Sequence, residues 1–579
     1  MLQYVPDLAI TITTTPYQDG TDSLYRGLPA DEDYIKDMIC NPDMIQQYNT
    51  PKSPSEPVLP LGKEAPYAQE RREPVHYVYD KESGTITMHQ GDTVSTFAAP
   101  STESTTGLSP TTSYDYVIIT TDALASYTGA NSFHDLVNSK TAKGLSATIV
   151  TVEDITSNSS FWNANPVFND TQAQIREFIR YAYLNWGTEY VLLGGDSDDG
   201  SPVVPARMLY HSIDNTYMPS DIYYACLDGT YNYDEDGQWG EPTDGDGGGD
   251  VDLMAEVYVG RAPVDSTAEV QHFVMKTLAY ENTNSPYLKD VFMVGEQLDS
   301  NPTWGGDYKD EIINGSCANG YCTVGVPGGE YNISTLYDRD YSWSKTELMQ
   351  YMNDGTHIFN HLGHANCGYG MRMSNSDVST LSNTDYFFAY SQGCISGSFD
   401  NIAWDGSSWY NYGDECIAEY FTVESEHGAF AVIMNARFGW YNPGGTDGTS
   451  QHFDREFFDA VYNESMPEIG KANQDSKHDN LWRVGGYDTA RWCYYTINLL
   501  GDPEVALKNA SIPEKDVGVD SINHPTGYNC LGDYTVNATL KNYGNTTQTF
   551  NVTCRIYNTT TWTEVYNITN SNITLQSLN

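Results

Sequence analysis

From Tyr114 onward, short apolar runs alternate with longer amphipathic stretches, and this pattern restricts the fold more than any other feature of the chain. "DYVIITT" is followed by a helical stretch, "SATIVTV", the helical "TQAQIREFIRYAYLNWG" and then "YVLLGG". The alternation continues through "EVYVGRAPV", "DVFMVGE", "THIFNHLGH", "DYFFAYSQGC" and "GAFAVIMNA", and closes near "NLLGDPEVAL". Apolar runs of strand length, unbroken by polar alternation, are buried on both faces. Helices between them supply the crossovers that parallel neighbours need. The predicted architecture is therefore α/β, a mostly parallel sheet flanked by helices over residues 114–508.

The flanks read differently. Residues 1–99 are β-rich, with a hairpin expected where "HYVYD" and "TITMH" surround the turn "KESG". Residues 100–113 lack aromatics and read as a linker. In residues 509–579 the helical pattern stops and short alternating strands such as "DYTVNATL" predict a small β-sandwich module. Twelve Asn-x-Ser/Thr sequons, at Asn158, Asn169, Asn314, Asn332, Asn463, Asn509, Asn537, Asn545, Asn551, Asn558, Asn567 and Asn572, mark a secreted or cell-surface glycoprotein. Six of them crowd into the last 43 residues, and the chain stops within that β pattern, which suggests truncation ahead of a membrane anchor. The start lacks the basic and apolar regions of an export signal, so an exported form has lost its signal.

Charge narrows the function. With 29 Lys+Arg against 78 Asp+Glu the formal charge is −49, which repels phosphate backbones and argues against nucleic-acid partners. No run of 18 apolar residues is available for a transmembrane helix. Ten cysteines in 579 residues are too few for a disulfide scaffold. Cys317/Cys322 and Cys530/Cys554 are candidate local pairs.

Two predicted strands end unusually. "THIFNHLGHANCGYG" breaks into glycine after His364, and "YFFAYSQGCISGS" breaks after Cys394. Both tips fall at the carboxyl edge of a parallel sheet, where open α/β folds hold ligands. A thiol and an imidazole placed there form a nucleophile and base, with backbone N–H groups available for an oxyanion. A zinc site at His361, His364 and Cys367 is the competing reading, weakened because offsets of three alternate faces along a strand.

"NHLGHANCGYG", "AYSQGCISGSFDN", "ECIAEYF", "GAFAVIMNARFGW", "REFFDAVY" and "NLLGDPEVAL" occur in succession, and together resemble the gingipain-like family of cysteine peptidases. The resemblance covers residues 114–508 and implies a caspase-like fold, preceded by a propeptide-like segment and followed by an immunoglobulin-like module. It implies Cys394 as nucleophile, His364 as base and acid, and Glu296 as the acid that orients the imidazole. Ala365 stands where the family has glycine; its N–H and that of Cys394 would hold the oxyanion. Asp307 falls on the spacing of the acid at the pocket floor of Arg-specific members, and Trp440 lies on the expected pocket wall. Arg437 falls near the same place, where it would either neutralise Asp307 or select an acidic side chain. No Lys or Arg occurs between Lys81 and Lys140, so self-maturation after a basic residue would have to occur at or before Lys81.

A calcium site is expected in "LDGTYNYDEDGQWGE". Asn232, Asp234 and Asp236 alternate ahead of Gly237, Glu241 follows, and Asp228, Asp250 and Asp252 stand nearby to close the shell. No organic cofactor is expected. The sequence thus predicts a cysteine endopeptidase acting on proteins or peptides, made as a zymogen and leaning to cleavage after Arg or Lys. The alternative is a catalytically inactive, glycosylated surface or adhesion protein that keeps the fold.

Overall fold

The computed structural model describes residues 8–15, 75–80, 85–90, 93–98, 113–198, 202–245, 248–508, 517–524, 537–542, 547–558 and 563–576. Ten strands form the central sheet: β1 (Tyr116–Thr120), β2 (Ala147–Thr151), β3 (Tyr190–Gly194), β4 (Tyr258–Ala262), β5 (Asp290–Gly295), β6 (Asn332–Tyr337), β7 (Ile358–Leu362), β8 (Phe387–Ser391), β9 (Ala429–Asn435) and β10 (Ile497–Leu500). Their order is β6-β5-β7-β8-β9-β10-β4-β3-β1-β2. Every neighbouring pair is parallel except β9–β10, where Val432 faces Leu500 and Asn435 faces Ile497 in antiparallel register. The sheet therefore consists of two parallel halves running in opposite directions, a reversal that the apolar runs did not reveal.

The strands form because their side chains fill cores on both faces. β1, β3, β7, β8 and β9 are buried at every position. Along β8, Phe387 and Ala389 join Phe359 and Phe421 in one core, while Phe388 and Tyr390 pack with Phe457 in the other. This is the two-residue period of a strand, with apolar partners waiting on each side. Each such phenylalanine removed from water contributes ~2–3 kcal/mol.

The helices follow the same logic. In α1 (Thr171–Trp186) Ile175, Phe178, Ile179, Ala182 and Trp186 make one buried stripe. Asp170 caps its start by accepting from the Ala173 N–H, and Gly187, at φ 74°, ends it. α2 (Gly305–Asn314) lies against β5, α3 (Ile417–Thr422) packs on β9, and α4 (Thr449–Tyr462) buries Phe453, Phe457 and Phe458.

Val75–Asp80 and Thr85–Gln90 pair antiparallel, as the hairpin pattern required, and Thr93–Ala98 extends them to three strands. The linker lies outside the described residues apart from Ser113. After residue 508 the described elements are antiparallel strands: Val517–His524 pairs with Asn537–Asn542, and Gln548–Asn558 pairs with Thr563–Leu575 and with Leu8–Thr15. Cys317 and Cys322 form a disulfide, while Cys530 lies outside the described residues. Among the described residues no helix is long and apolar enough to cross a membrane.

Candidate active site

β7 and β8 are direct neighbours, with His361 facing Ser391 in parallel register. Three residues beyond these partners the chain reaches His364 and Cys394, so the two residues follow adjacent strand tips by the same number of positions. The tips touch: a Cβ built on Gly393 would fall 2.7 Å from Cβ of Ala365. Ile395, directly after the nucleophile candidate, has φ 61° although it is β-branched, and its side chain is buried. Such a residue holds the left-handed region only when its surroundings impose it. Here its N–H donates to the Arg437 carbonyl at 2.7 Å, and the sharp turn presents Cys394.

The Cys394 side chain is partly buried. Burial pushes its thiol above the ordinary value of 9.0, opposed by the Gly439 N–H, which donates to the sulfur at 3.4 Å. The group therefore rests as a thiol and needs a base. His364 is exposed, and its Nε2 lies 2.9 Å from the Leu298 carbonyl. A carbonyl only accepts, so in the neutral ring the proton sits on Nε2 and the lone pair is on Nδ1. The N–H groups of Ala365 and Cys394 make no hydrogen bond among the described residues. Ala365 lies outside the left-handed region, so a side chain there brings no backbone strain.

Glu296 corrects the expectation. Its Oε1 lies 3.2 Å from Nε2 of His361, not of His364. The other nitrogen of His361, Nδ1, accepts from the Ser391 hydroxyl at 2.8 Å, and that oxygen accepts the Gly393 N–H at 3.1 Å. Gly363 makes the pairing possible, since a Cβ there would lie 2.3 Å from Cδ of Glu296. The contacts thus run from Glu296 through His361 and Ser391 to the residue before Cys394, while His364 meets the Leu298 carbonyl. With both His361 nitrogens engaged and Cys367 fully buried, the zinc reading at His361, His364 and Cys367 has no support. Glu296→Ala is expected to lower both thermal stability and the rate of Cys394 alkylation, and Glu296→Gln, which keeps an acceptor, to restore both. Failure of glutamine to rescue would show that the negative charge, and not the hydrogen bond alone, is required.

The specificity candidates separate. Asp307 lies in the first turn of α2, is about half exposed at 48%, and pairs with Arg339, which also holds Asp310 at 2.7 Å. Arg437 is buried and forms a two-pronged pair with Asp400 at 3.0 and 2.6 Å while donating to the Tyr217 carbonyl. The expected contact between Arg437 and Asp307 is therefore absent; Arg437 instead braces the segment after the nucleophile. Trp440 follows Gly439, whose N–H meets the sulfur, and packs edge-on against Trp492 at 5.7 Å.

In the acidic loop Asp234, Asp236 and Glu241 converge, each offering an oxygen within 4.8 Å of the others. Asn232 instead closes its own loop, with Nδ2 donating to the Asp236 carbonyl at 2.9 Å and Oδ1 accepting from its N–H at 3.0 Å. Asp250 accepts from Thr230, and Asp252 accepts from the N–H groups of Asp228 and Met254, so they brace the loop. Asp228 itself is exposed. The converging donors are all carboxylate oxygens, which suits a hard cation.

Among the groups that the sequence did not indicate, the Leu298 carbonyl is a backbone atom with no side-chain signature. Ser391 sits inside an apolar run and could have been suspected as a polar residue in a fully buried strand; His361, which the sequence offered only as a zinc ligand, sits in another such run. Gln392 is similar: it is buried and donates to Gln451 and Asp454, both at 2.6 Å, and Asp454 also pairs with the buried Lys309 at 2.7 Å.

The sheet and these tips define an α/β protein carrying a cysteine–histidine pair at a carboxyl edge. The chain belongs to peptidase family C25, whose sequence profile matches residues 109–508. Among solved structures it is similar to the Arg-specific cysteine proteinase gingipain R, with a TM-score of 0.49 and 16% identity over 77% of this chain and 85% of that one. A complex of the pro- and mature domains of RgpB from Porphyromonas gingivalis gives 0.47 and 16% over 76% and 86%. A structure described as a protease gives 0.49 and 16% over 80% and 96%. No curated protein sequence matches.

Proposed function

We propose that the protein is an exported cysteine endopeptidase in which Cys394 is the nucleophile and His364 the general base and acid. The in-register placement of the two groups on touching strand tips carries this reading. Nδ1 of His364 takes the thiol proton and the sulfur attacks the peptide carbonyl. The Ala365 and Cys394 N–H groups receive the oxyanion, and the imidazolium returns its proton to the departing amine. Water, deprotonated by the same ring, then releases the acyl group from sulfur. A peptidyl electrophile is expected to label Cys394 in the mature protein. Absence of labelling under every condition, including removal of residues 1–112, would favour the inactive scaffold instead.

Cleavage after Arg or Lys is the preferred specificity; the excess of carboxylates and the spacing of Asp307 favour it, with the substrate's cation displacing Arg339 from Asp307. Fluorogenic peptides differing only in the residue before the scissile bond test it; equal or faster hydrolysis after Asp or Ala would overturn it. Residues 1–112 serve as an inhibitory prosegment in this reading, so the 579-residue chain should hydrolyse peptides more slowly than one beginning at Ser113. Export is supported by the Cys317–Cys322 disulfide and by exposed sequon asparagines at Asn314, Asn332 and Asn463.

Asp234, Asp236 and Glu241 would hold a structural calcium ion that neutralises their mutual repulsion and rigidifies the loop. Asp234→Asn is expected to reduce the rise in melting temperature that calcium produces, and an unchanged rise would count against this site.

A further inference from the structure

Strands from opposite ends of the chain meet in one sheet. Leu8–Thr15 pairs antiparallel with Gln548–Asn558 along its whole length, from Leu8 opposite Asn558 to Thr15 opposite Asn551. Thr563–Leu575 pairs along the other side of Gln548–Asn558, which is therefore the middle strand of the three. This sheet spans the linker of residues 100–113, since its first strand precedes the linker and the other two follow it. The other described strands ahead of the linker, Val75–Asp80, Thr85–Gln90 and Thr93–Ala98, pair only with one another.

The register is the one that the two sequences favour. "LAITIT" and "FNVTCRI" each alternate apolar with polar or small residues. Ile10 stands opposite Ile556, with Tyr566 next in the row, and Ile12, Cys554 and Ile568 make another such row. Polar rows lie between them: Thr11 with Arg555 and Asn567, and Thr13 with Thr553 and Thr569. Directly opposed residues share a face of an antiparallel pair, so a slip of one residue would set Ile12 against Thr553 or Arg555. Pro16 follows Thr15 and has no N–H with which to extend the ladder. Without Leu8–Thr15, the backbone from Asn551 to Asn558 would present an open row of donors and acceptors.

We propose that Leu8–Thr15 is a clasp: after the linker is cut, residues 1–112 stay bound because this strand remains paired with Gln548–Asn558. The binding mode is strand addition, in which main-chain hydrogen bonds supply affinity and the matched rows supply register. Cutting the linker then leaves the segment in place, and its release requires this strand to leave the sheet. The inference rests on the prosegment reading for the site of the cut, but the pairing itself is independent of the chemistry at Cys394.

The test uses the full chain carrying Cys394→Ala, so that self-digestion cannot interfere, with a recognition sequence for a site-specific protease placed within residues 100–113. After cutting, the fragment ahead of the linker should co-elute with the rest of the chain on size exclusion. Successive N–H groups of a strand point to opposite sides, so Thr11→Pro together with Ile12→Pro removes at least one hydrogen bond to Gln548–Asn558. The doubly substituted fragment is expected to bind about tenfold more weakly. A second measurement needs no substitution in the chain: a synthetic peptide of residues 8–15 should speed release of the parent fragment, and the same peptide with both prolines should not. Loss of the parent fragment on cutting, or retention that neither the prolines nor the peptide weakens, would overturn the proposal. The inhibitory role is read separately, by peptide hydrolysis in the cut chain with Cys394 present. If a retained fragment allows hydrolysis as fast as in a chain beginning at Ser113, that role fails and the clasp stands.

Discussion

Cys394→Ala is expected to abolish peptide hydrolysis while leaving the fold intact, with a loss in kcat of ~10⁶ when nucleophile and base act as a unit. His364→Ala should fall to a similar level, and the double variant should be little worse than either. The physical reason is the state of the thiol. Burial holds Cys394 above its ordinary value of 9.0, so near neutral pH the sulfur carries its proton unless His364 removes it. A raised thiol pKa moves the reactive thiolate to higher pH. In His364→Ala, alkylation of Cys394 by iodoacetamide should therefore still be rising beyond pH 9. Alkylation as fast at pH 7 as at pH 9 would mean that another group ionises the sulfur and that the role given to His364 is wrong.

Asp454→Ala should carry the largest stability cost. Its carboxylate lies 2.7 Å from Lys309, with both side chains at 0% exposure, and also accepts from Asn360 at 2.7 Å and Gln392 at 2.6 Å. Removing it leaves an ammonium and two amide donors unpaired in the core. Breaking a buried pair of this kind costs about 3–5 kcal/mol. Denaturant unfolding of the Cys394→Ala background checks the value, and a loss below about 1 kcal/mol would show that water reaches the site. Replacing both charged partners by apolar residues, as in Lys309→Met with Asp454→Leu, should recover part of the loss because no charge is left stranded. Activity should not recover in step when the wild-type cysteine is present, since Gln392 would still lack the acceptor that steadies the segment before Cys394.

The sequence showed the strands of the sheet wherever burial on both faces produced an apolar run, and the carboxyl-edge tips followed from that. It did not show β6, where only the last two of six positions are buried and no alternating pattern appears. Nor did it show the reversal at β10, because "INLL" reads alike in either direction. In the site, residue identities were legible but partners were not. Glu296 lies equally close in sequence to His361 and His364, and only the missing side chain at Gly363 lets the carboxylate reach the former. Asp307 had the spacing of a pocket acid, but the chain turns into α2 at that point and exposes it. Arg437 was expected on the pocket wall near Asp307, but Asp400, a partner from the loop beyond Cys394, draws it into the interior.

The strand reversal has a consequence for synthesis. β10 is the final strand of the sheet, yet it occupies a central position between β9 and β4. Until residues 497–500 leave the ribosome, the nascent chain holds two unjoined sheets, each with an open apolar edge able to pair with another polypeptide. Truncations ending upstream of Ile497 should accumulate as aggregates, whereas those ending just after Leu507 should remain dispersed.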